Sequence, residues 1–252
     1  HLWVPDVYDG APNSVTLFLS SAPKLAIFVL LSRVLLDSLF RVAVEWQHVL
    51  MVAAILSIVL GNLAAVVQEN IKRMLAYSSV AHIGYMLLGF CAGTNAGYSA
   101  ALFYMISYVL MSIVAFGILA LLSFRGQELT LIKDFSGLNE RNPWIALMFM
   151  MVLFSLAGVP PLVGFIGKIG ILDALIQARM VWLAVVAIIF AIVGVYYYIR
   201  VVKVMYFEKS ENADVIYVPS MEGYLAMSIG GLSVLAVGVF PGALLRYVIR
   251  IF

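Results

Sequence analysis

Residues 158–172 read GVPPLVGFIGKIGIL and set two adjacent prolines, four glycines and one lysine in a neighbourhood that is otherwise almost wholly apolar. About 20 apolar residues cross a bilayer as a helix, yet the apolar run around this stretch extends over 143–178. As one helix it would reach roughly 54 Å at about 1.5 Å per residue, far beyond the hydrocarbon core. Val159-Pro160-Pro161 divides the run near its middle. A proline inside a helix removes a backbone donor and clashes with the preceding turn. The run is therefore expected to be a broken helix, two half-helices end to end.

The rest of the chain shares this apolar character. Of its 252 residues 64% are hydrophobic and 11% charged, and the mean hydropathy is +1.08. A water-soluble domain of this length carries about 25% charged residues, so the composition predicts an all-α integral membrane protein. On the span-length rule it is a polytopic bundle of about seven transmembrane helices, at 24–40, 47–67, 73–93, 98–123, 143–178, 181–206 and 223–248. A half-helix at 14–22, ended by Ala22-Pro23, precedes them. No long linker, low-complexity tract or short repeat divides the chain, so residues 1–252 are expected to form a single membrane domain. The opening HLWVPDVYDGAPNS is polar and turn-rich, lacks a basic leader and does not begin with methionine, which predicts a fragment whose upstream part is missing.

The loops around 68–73, 124–142 and 203–222 hold Lys72, Arg73, Arg125, Lys133, Arg141, Lys203 and Lys209. The opposite set holds chiefly Arg41, Arg179, Arg246 and Arg250. The excess of basic residues places the first set in the cytoplasm and the C-terminus outside. A net charge of +2 gives no reason to expect nucleic acid or an acidic ligand. Cys91 is the only cysteine, so no disulfide forms within the chain; in its apolar run it reads as a small buried hydrophobe.

Three ionisable side chains carry the chemistry. Lys168 follows the break in the 143–178 run. A lysine near the bilayer centre costs about 2.5–3.5 kcal/mol on insertion scales. It can snorkel to an interface, but the breakers beside it argue for another role. Non-helical backbone at membrane depth survives only when buried in protein or lining a watered cavity, and discontinuous helices build ion sites in transporters. An amine held out of water exchanges its proton more readily near neutral pH.

Lys24 follows Pro23, and two readings of it stand at this point: a snorkelling end residue, or an amine brought inside by the preceding half-helix. His82 is central in LAYSSVAHIGYML (75–87), where Ser78, His82 and Tyr85 share one helix face. An imidazole flanked by hydroxyls relays protons; equally, it is a buried group bonded to a neighbouring helix. No further histidine or carboxylate stands at ligand spacing, so a metal site has little support. Tyr104 and Tyr108 form another i, i+4 pair, and Tyr196, Tyr197 and Tyr198 read as an interfacial aromatic anchor. Arg33 and Asp37 read as an i, i+4 ion pair, and Lys72 and Arg73 as ordinary basic residues of a loop boundary.

Four stretches, HLWVPDVYDGAP (1–12), SAPKLAIF (21–28), QENIKRMLAYSSVAHIGYMLLG (68–89) and SLAGVPPLVGFIGK (155–168), stand in the order and at the spacing of a known family. They resemble the antiporter-like membrane subunits of bacterial NADH–quinone oxidoreductase, respiratory complex I, and among these the subunit N branch. The wider family includes Mrp-type cation/proton antiporter subunits. The resemblance runs from His1 to about Arg200.

The resemblance implies a proton-translocating subunit that couples electron transfer from NADH to quinone to proton pumping. It implies the second half of a fourteen-helix chain, starting in the break of the seventh helix. Lys24 then matches a central lysine, His82 the histidine between two lysines, and Lys168 the lysine nearest the exit, with Ser78, Tyr85, Pro160 and Pro161 in support. His1 matches a motif position of lesser weight. No cofactor is expected in this chain: NADH, FMN, iron–sulfur clusters and quinone belong to other subunits. The implied partners are the other membrane-arm subunits and the lipid bilayer, in the inner (plasma) membrane. The family's upstream glutamate–lysine pair has no counterpart here, so this chain alone is not expected to pump. Two rivals stand beside this reading: a stand-alone sodium/proton antiporter subunit, and an inert scaffold in which Lys24 and Lys168 form structural ion pairs.

Overall fold

The structure, a computed structural model, describes residues 3–124, 127–209 and 220–252. Among the described residues the regular structure is helical, apart from one antiparallel two-residue pair, β1 (Ser123–Phe124) with β2 (Gln127–Glu128). A short helix α1 (Trp3–Gly10) leads into α2 (Asn13–Arg33), which loosens through a π turn at Val34–Ser38 before α3 (Ala43–Val66). Then follow α4 (Ile71–Cys91), α5 (Asn95–Leu121) and the short α6 (Leu138–Arg141). The broken pair is α7 (Pro143–Ala157) and α8 (Val163–Gln177), succeeded by α9 (Val181–Phe207), α10 (Met221–Val239) and α11 (Gly242–Ile249).

Among the described residues six helical stretches are long and apolar enough to span a bilayer, Asn13–Ser38, Phe40–Val66, Ile71–Cys91, Asn95–Leu121, Val181–Phe207 and Met221–Val239. With the broken pair they match the expected count of about seven. Three stretches differ from expectation. The predicted half-helix at 14–22 does not exist as such, because α2 runs straight through Pro23. No glycine lies within 13–33 to end the helix in the left-handed conformation, so the helix absorbs the missing Pro23 donor and continues. Ser20 donates to the Leu17 carbonyl, and Ser21 to the carbonyls of Leu17 and Phe18, in the turn before Pro23. The opening segment, read as turn-rich, is helical from Trp3 and breaks only at Ala11-Pro12. The last span ends at Val239 rather than 248: Phe240, whose conformation the following Pro241 restricts, turns the chain into α11.

α4 and α5 form the buried centre. α3 packs on α4, α2 and α10 on α5, and α8 against both central helices. The outward faces of α2, α3 and α9 carry exposed Leu, Ile, Val and Phe, as lipid contact requires. Cys91 is fully buried, as expected.

One end of the bundle is tied by charge. Arg73 pairs with Asp6 at 3.1 Å and Asp9 at 3.4 Å, clamping α1 onto the start of α4, and Asn70 Nδ2 donates to Asp9 at 2.7 Å. The Lys72 amine is buried; it donates to the Ala11 carbonyl at 2.9 Å and pairs with Glu128 at 3.2 Å. The other Glu128 oxygen accepts the Asn13 N–H at 2.8 Å, where α2 begins. Lys72 and Arg73 are thus clamps, not simple loop charges. Arg33 and Asp37 behave the other way: both are exposed, and they form no ion pair among the described residues, falling where α2 loosens into its π turn.

Candidate functional site

The break in the 143–178 run is a polar cradle. Gly158 ends α7 in the left-handed region, φ 90°, which an L side chain adopts only under strain. The last carbonyls of a helix have no partner within it, and that end carries the negative pole of the helix dipole. Two carbonyls at this end receive Lys168. Its amine, on α8, donates to Leu156 O at 3.0 Å and Ala157 O at 2.8 Å. A Cβ at Gly158 would lie 3.2 Å from the Lys168 Nζ. Opposite, the start of α8 is pressed onto α7: Gly164 N–H donates to Ser155 Oγ at 3.0 Å, and a Cβ at Gly164 would stand 1.8 Å from the Ser155 carbonyl oxygen. Pro160 and Pro161 lie exposed in the connecting turn, joined by a cis bond. They follow the end of α7, and the hydrogen bonds of the amine go to Leu156 and Ala157 instead.

Lys24 occupies the middle of α2 and is only 9% exposed, so the snorkelling reading fails. Its amine donates to Ser79 Oγ of α4 and, at 3.0 Å, to the Tyr108 hydroxyl of α5. It also faces the rings of Tyr108 and Tyr8, 4.9 and 5.3 Å from their centroids.

His82 sits between the two amines. Its ring lies 5.0 Å from that of Tyr108, centroid to centroid. Nδ1 meets the Tyr104 hydroxyl at 2.6 Å and Nε2 the Tyr198 hydroxyl at 3.1 Å. A neutral imidazole has one donor and one acceptor nitrogen, so one tyrosine accepts from it while the other donates to it. Exchange of tautomer reverses both roles. The helix face of Ser78, His82 and Tyr85 exists, but only Ser78 and His82 converge, both on Tyr198. Tyr85 instead donates to the Ala187 carbonyl of α9 at 2.7 Å and turns its ring to Lys168, whose Nζ is 5.4 Å from the centroid.

Lys24, Ser79, Tyr108, His82, Tyr104, Tyr85 and Lys168 therefore form a line that crosses the bundle from α2 through α4 and α5 to α8. His1 lies outside the described residues. Neither Lys24 nor Lys168 has a carboxylate partner within ion-pair distance among the described residues. Ser79 and Tyr198 are absent from the sequence-derived set. The Tyr196–Tyr198 cluster does not anchor an interface as a unit: Tyr196 faces outward, whereas Tyr197 and Tyr198 are buried, Tyr197 donating to Asn62 Oδ1 at 3.2 Å. Successive helix residues are about 100° apart, so three adjacent tyrosines cannot share a fate.

These features define a polytopic helical membrane protein with a buried, charge-bearing line across its bundle. The transmembrane family described as NADH:quinone oxidoreductase/Mrp antiporter matches residues 1–194, and the chain belongs to that family. It is 60% identical over 242 residues to NADH-quinone oxidoreductase subunit N of Coxiella burnetii, covering 96% of this chain and 50% of that one. A chain of respiratory complex I from Thermus thermophilus with bound aureothin superimposes with a TM-score of 0.79 at 32% identity, over 98% of this chain and 54% of that one. A chain of the Mrp complex from Dietzia sp. superimposes at 0.85 with 20% identity, over 99% and 54% of the two chains, a likeness of fold alone. The chain spans about half the length of the curated relatives it matches.

Proposed function

We propose that residues 1–252 form a single membrane domain of a proton-translocating membrane-arm subunit of NADH–quinone oxidoreductase, with Lys24, His82 and Lys168 as the proton-carrying groups. The observation that carries this reading is the pairing of two buried amines, neither ion-paired among the described residues, with an imidazole bonded on both nitrogens between them. A proton taken up at one nitrogen of His82 releases one from the other, passing charge between the hydroxyls of Tyr104 and Tyr198. Where polar groups lie beyond hydrogen-bond reach, bridging water completes such a path. Lys168 is positioned by the α7 carbonyls, which favour its charged form by hydrogen bonding, while exclusion from bulk water disfavours it. Small shifts of this balance load and unload the amine.

The scale of this balance is adequate. Moving one charge against 100 mV costs about 2.3 kcal/mol; a hundredfold change in proton affinity is worth about 2.7 kcal/mol. Redox energy enters from other subunits, which hold the NADH, FMN, iron–sulfur and quinone sites. The other membrane-arm subunits are its partners. The clamp end of the bundle, with Lys72, Arg73, Lys133 and Lys203, faces the cytoplasm and the C-terminus faces outward across the inner membrane, in keeping with the excess of basic residues.

The Mrp-like fold supports a second reading, a sodium/proton antiporter subunit. The scaffold reading needs buried ion pairs, and neither lysine makes one among the described residues. The discriminating experiment is Lys24→Met in the full-length subunit of the assembled complex, reconstituted in proteoliposomes. The relay predicts a fall of severalfold in protons moved per NADH, independent of sodium, with assembly intact. Sodium-dependent exchange without NADH would favour the antiporter, and unchanged pumping the scaffold.

A further inference from the structure

At the clamp end of the bundle an open groove of about 660 Å³ runs between α9 and the 131–133 segment. That segment is fixed beside the start of α4, where the Ile132 N–H donates to the Glu69 carbonyl at 2.9 Å. The groove joins two kinds of surface. Ile192, Tyr196 and Ile199, at i, i+4 and i+7, form one exposed apolar stripe on α9. Lys203, at i+11, continues the same stripe as a cation, and Phe207 closes it. Across the groove stands Lys133, and Arg200 lines its floor. Arg200 is anchored by donating to the carbonyls of Val66 and Gln68 at the end of α3, while its Nε is buried with no partner among the described residues. Two carboxylates, Glu69 and Glu208, also line the groove, leaving the cations in excess. Lys133 and Lys203 are exposed and make no ion pair among the described residues.

We propose that this groove binds one anionic phospholipid, with an acyl chain along the Ile192–Tyr196–Ile199 stripe and the phosphate held between Lys133 and Lys203 beside Arg200. The apolar stripe ends where a lipid's carbon chain ends, and the cations begin where its phosphate lies. Basic pockets between helices at a membrane boundary hold acidic headgroups in this way. The Arg200 guanidinium, fixed by two carbonyls, adds positive potential without having to reach out.

The test uses the assembled complex with the full-length subunit, delipidated in detergent and titrated with phosphatidylglycerol or phosphatidylcholine, with bound lipid counted by native mass spectrometry. The Lys133→Gln/Lys203→Gln pair is expected to lose one phosphatidylglycerol site, with affinity weakened about thirtyfold. Phosphatidylcholine binding is expected to stay unchanged, and the Lys133→Arg/Lys203→Arg pair to retain the site. Both lysines are exposed, so the complex is expected to assemble in each case, and the Arg246→Gln/Arg250→Gln pair at the opposite end serves as control. Equal phosphatidylglycerol retention in the parent and the Gln pair would overturn the proposal. So would equal loss of both lipids, or a neighbouring subunit seated in the groove.

Discussion

Lys24 and Lys168 are buried alike, yet oxygens of different kinds hold them: hydroxyls for the first, helix-end carbonyls for the second. The difference matters because a hydroxyl both accepts and donates, whereas a carbonyl only accepts. Lys24 can hand a proton to its partners, and Lys168 can only be steadied by its own. Between them Tyr198 serves both Ser78 and His82. Tyr198→Phe leaves two buried polar groups short of a partner and is expected to cost about 1–3 kcal/mol, read as a lower thermal midpoint. It is also expected to slow proton uptake severalfold in proteoliposomes. At Gly158 an alanine must adopt the left-handed conformation and crowd the Lys168 amine. Gly158→Ala is therefore expected to destabilise by about 1–2 kcal/mol and to lower pumping more than Gly170→Ala, whose added methyl meets only ordinary contact at 3.6 Å. In the sequence Lys168 stands out as a charge beside a helix break, whereas Lys24 and His82 each admit two readings until the family resemblance is added. Their partners were harder to see: Ser79, Tyr104, Tyr108 and Tyr198 are common residues whose meaning depends on which helix faces which.

The helices tell a similar story of breaks. Prolines interrupt apolar runs at three places, and the interruptions at Pro160-Pro161 and Pro241 are real whereas that at Pro23 is not. At Pro160-Pro161 the chain has Gly158 to end α7 and Gly164 to let α8 return against Ser155. At Pro23 no glycine stands within the helix to end it, and α2 continues. A proline alone is thus an ambiguous sign, and its neighbours decide. The tight return predicts a steric outcome: Gly164→Val places side-chain carbon inside the Ser155 carbonyl, so the half-helices must separate and drag Lys168 off its carbonyls. The expected result is loss of the subunit from the purified complex, assayed by gel or mass spectrometry. Ser155→Ala, which removes one hydrogen bond without adding bulk, is expected to assemble and to cost about 1 kcal/mol.

Across the whole molecule, charge serves two separate purposes. The line from Lys24 to Lys168 lies within the bundle, whereas Asp6, Asp9, Lys72, Arg73 and Glu128 tie α1, α2 and β2 to the start of α4. Composition revealed the membrane class, and the apolar runs revealed the span count. The clamp was hidden because its members stand up to 122 positions apart, from Asp6 to Glu128, and each reads singly as a loop charge. Glu128→Ala leaves the buried Lys72 amine with only the Ala11 carbonyl. Because Glu128 is partly exposed, the expected loss is about 1–2 kcal/mol, seen as a lower thermal midpoint with the protons moved per NADH unchanged. The central claim is that Lys168 carries protons. It is tested by Lys168→Ala in the full-length subunit, within the assembled complex in proteoliposomes, recording NADH–quinone turnover and proton uptake together. A relay through Lys168 predicts that protons moved per NADH fall while the complex stays assembled. Unchanged pumping and turnover would contradict it, leaving the broken helix a structural cradle for an idle amine.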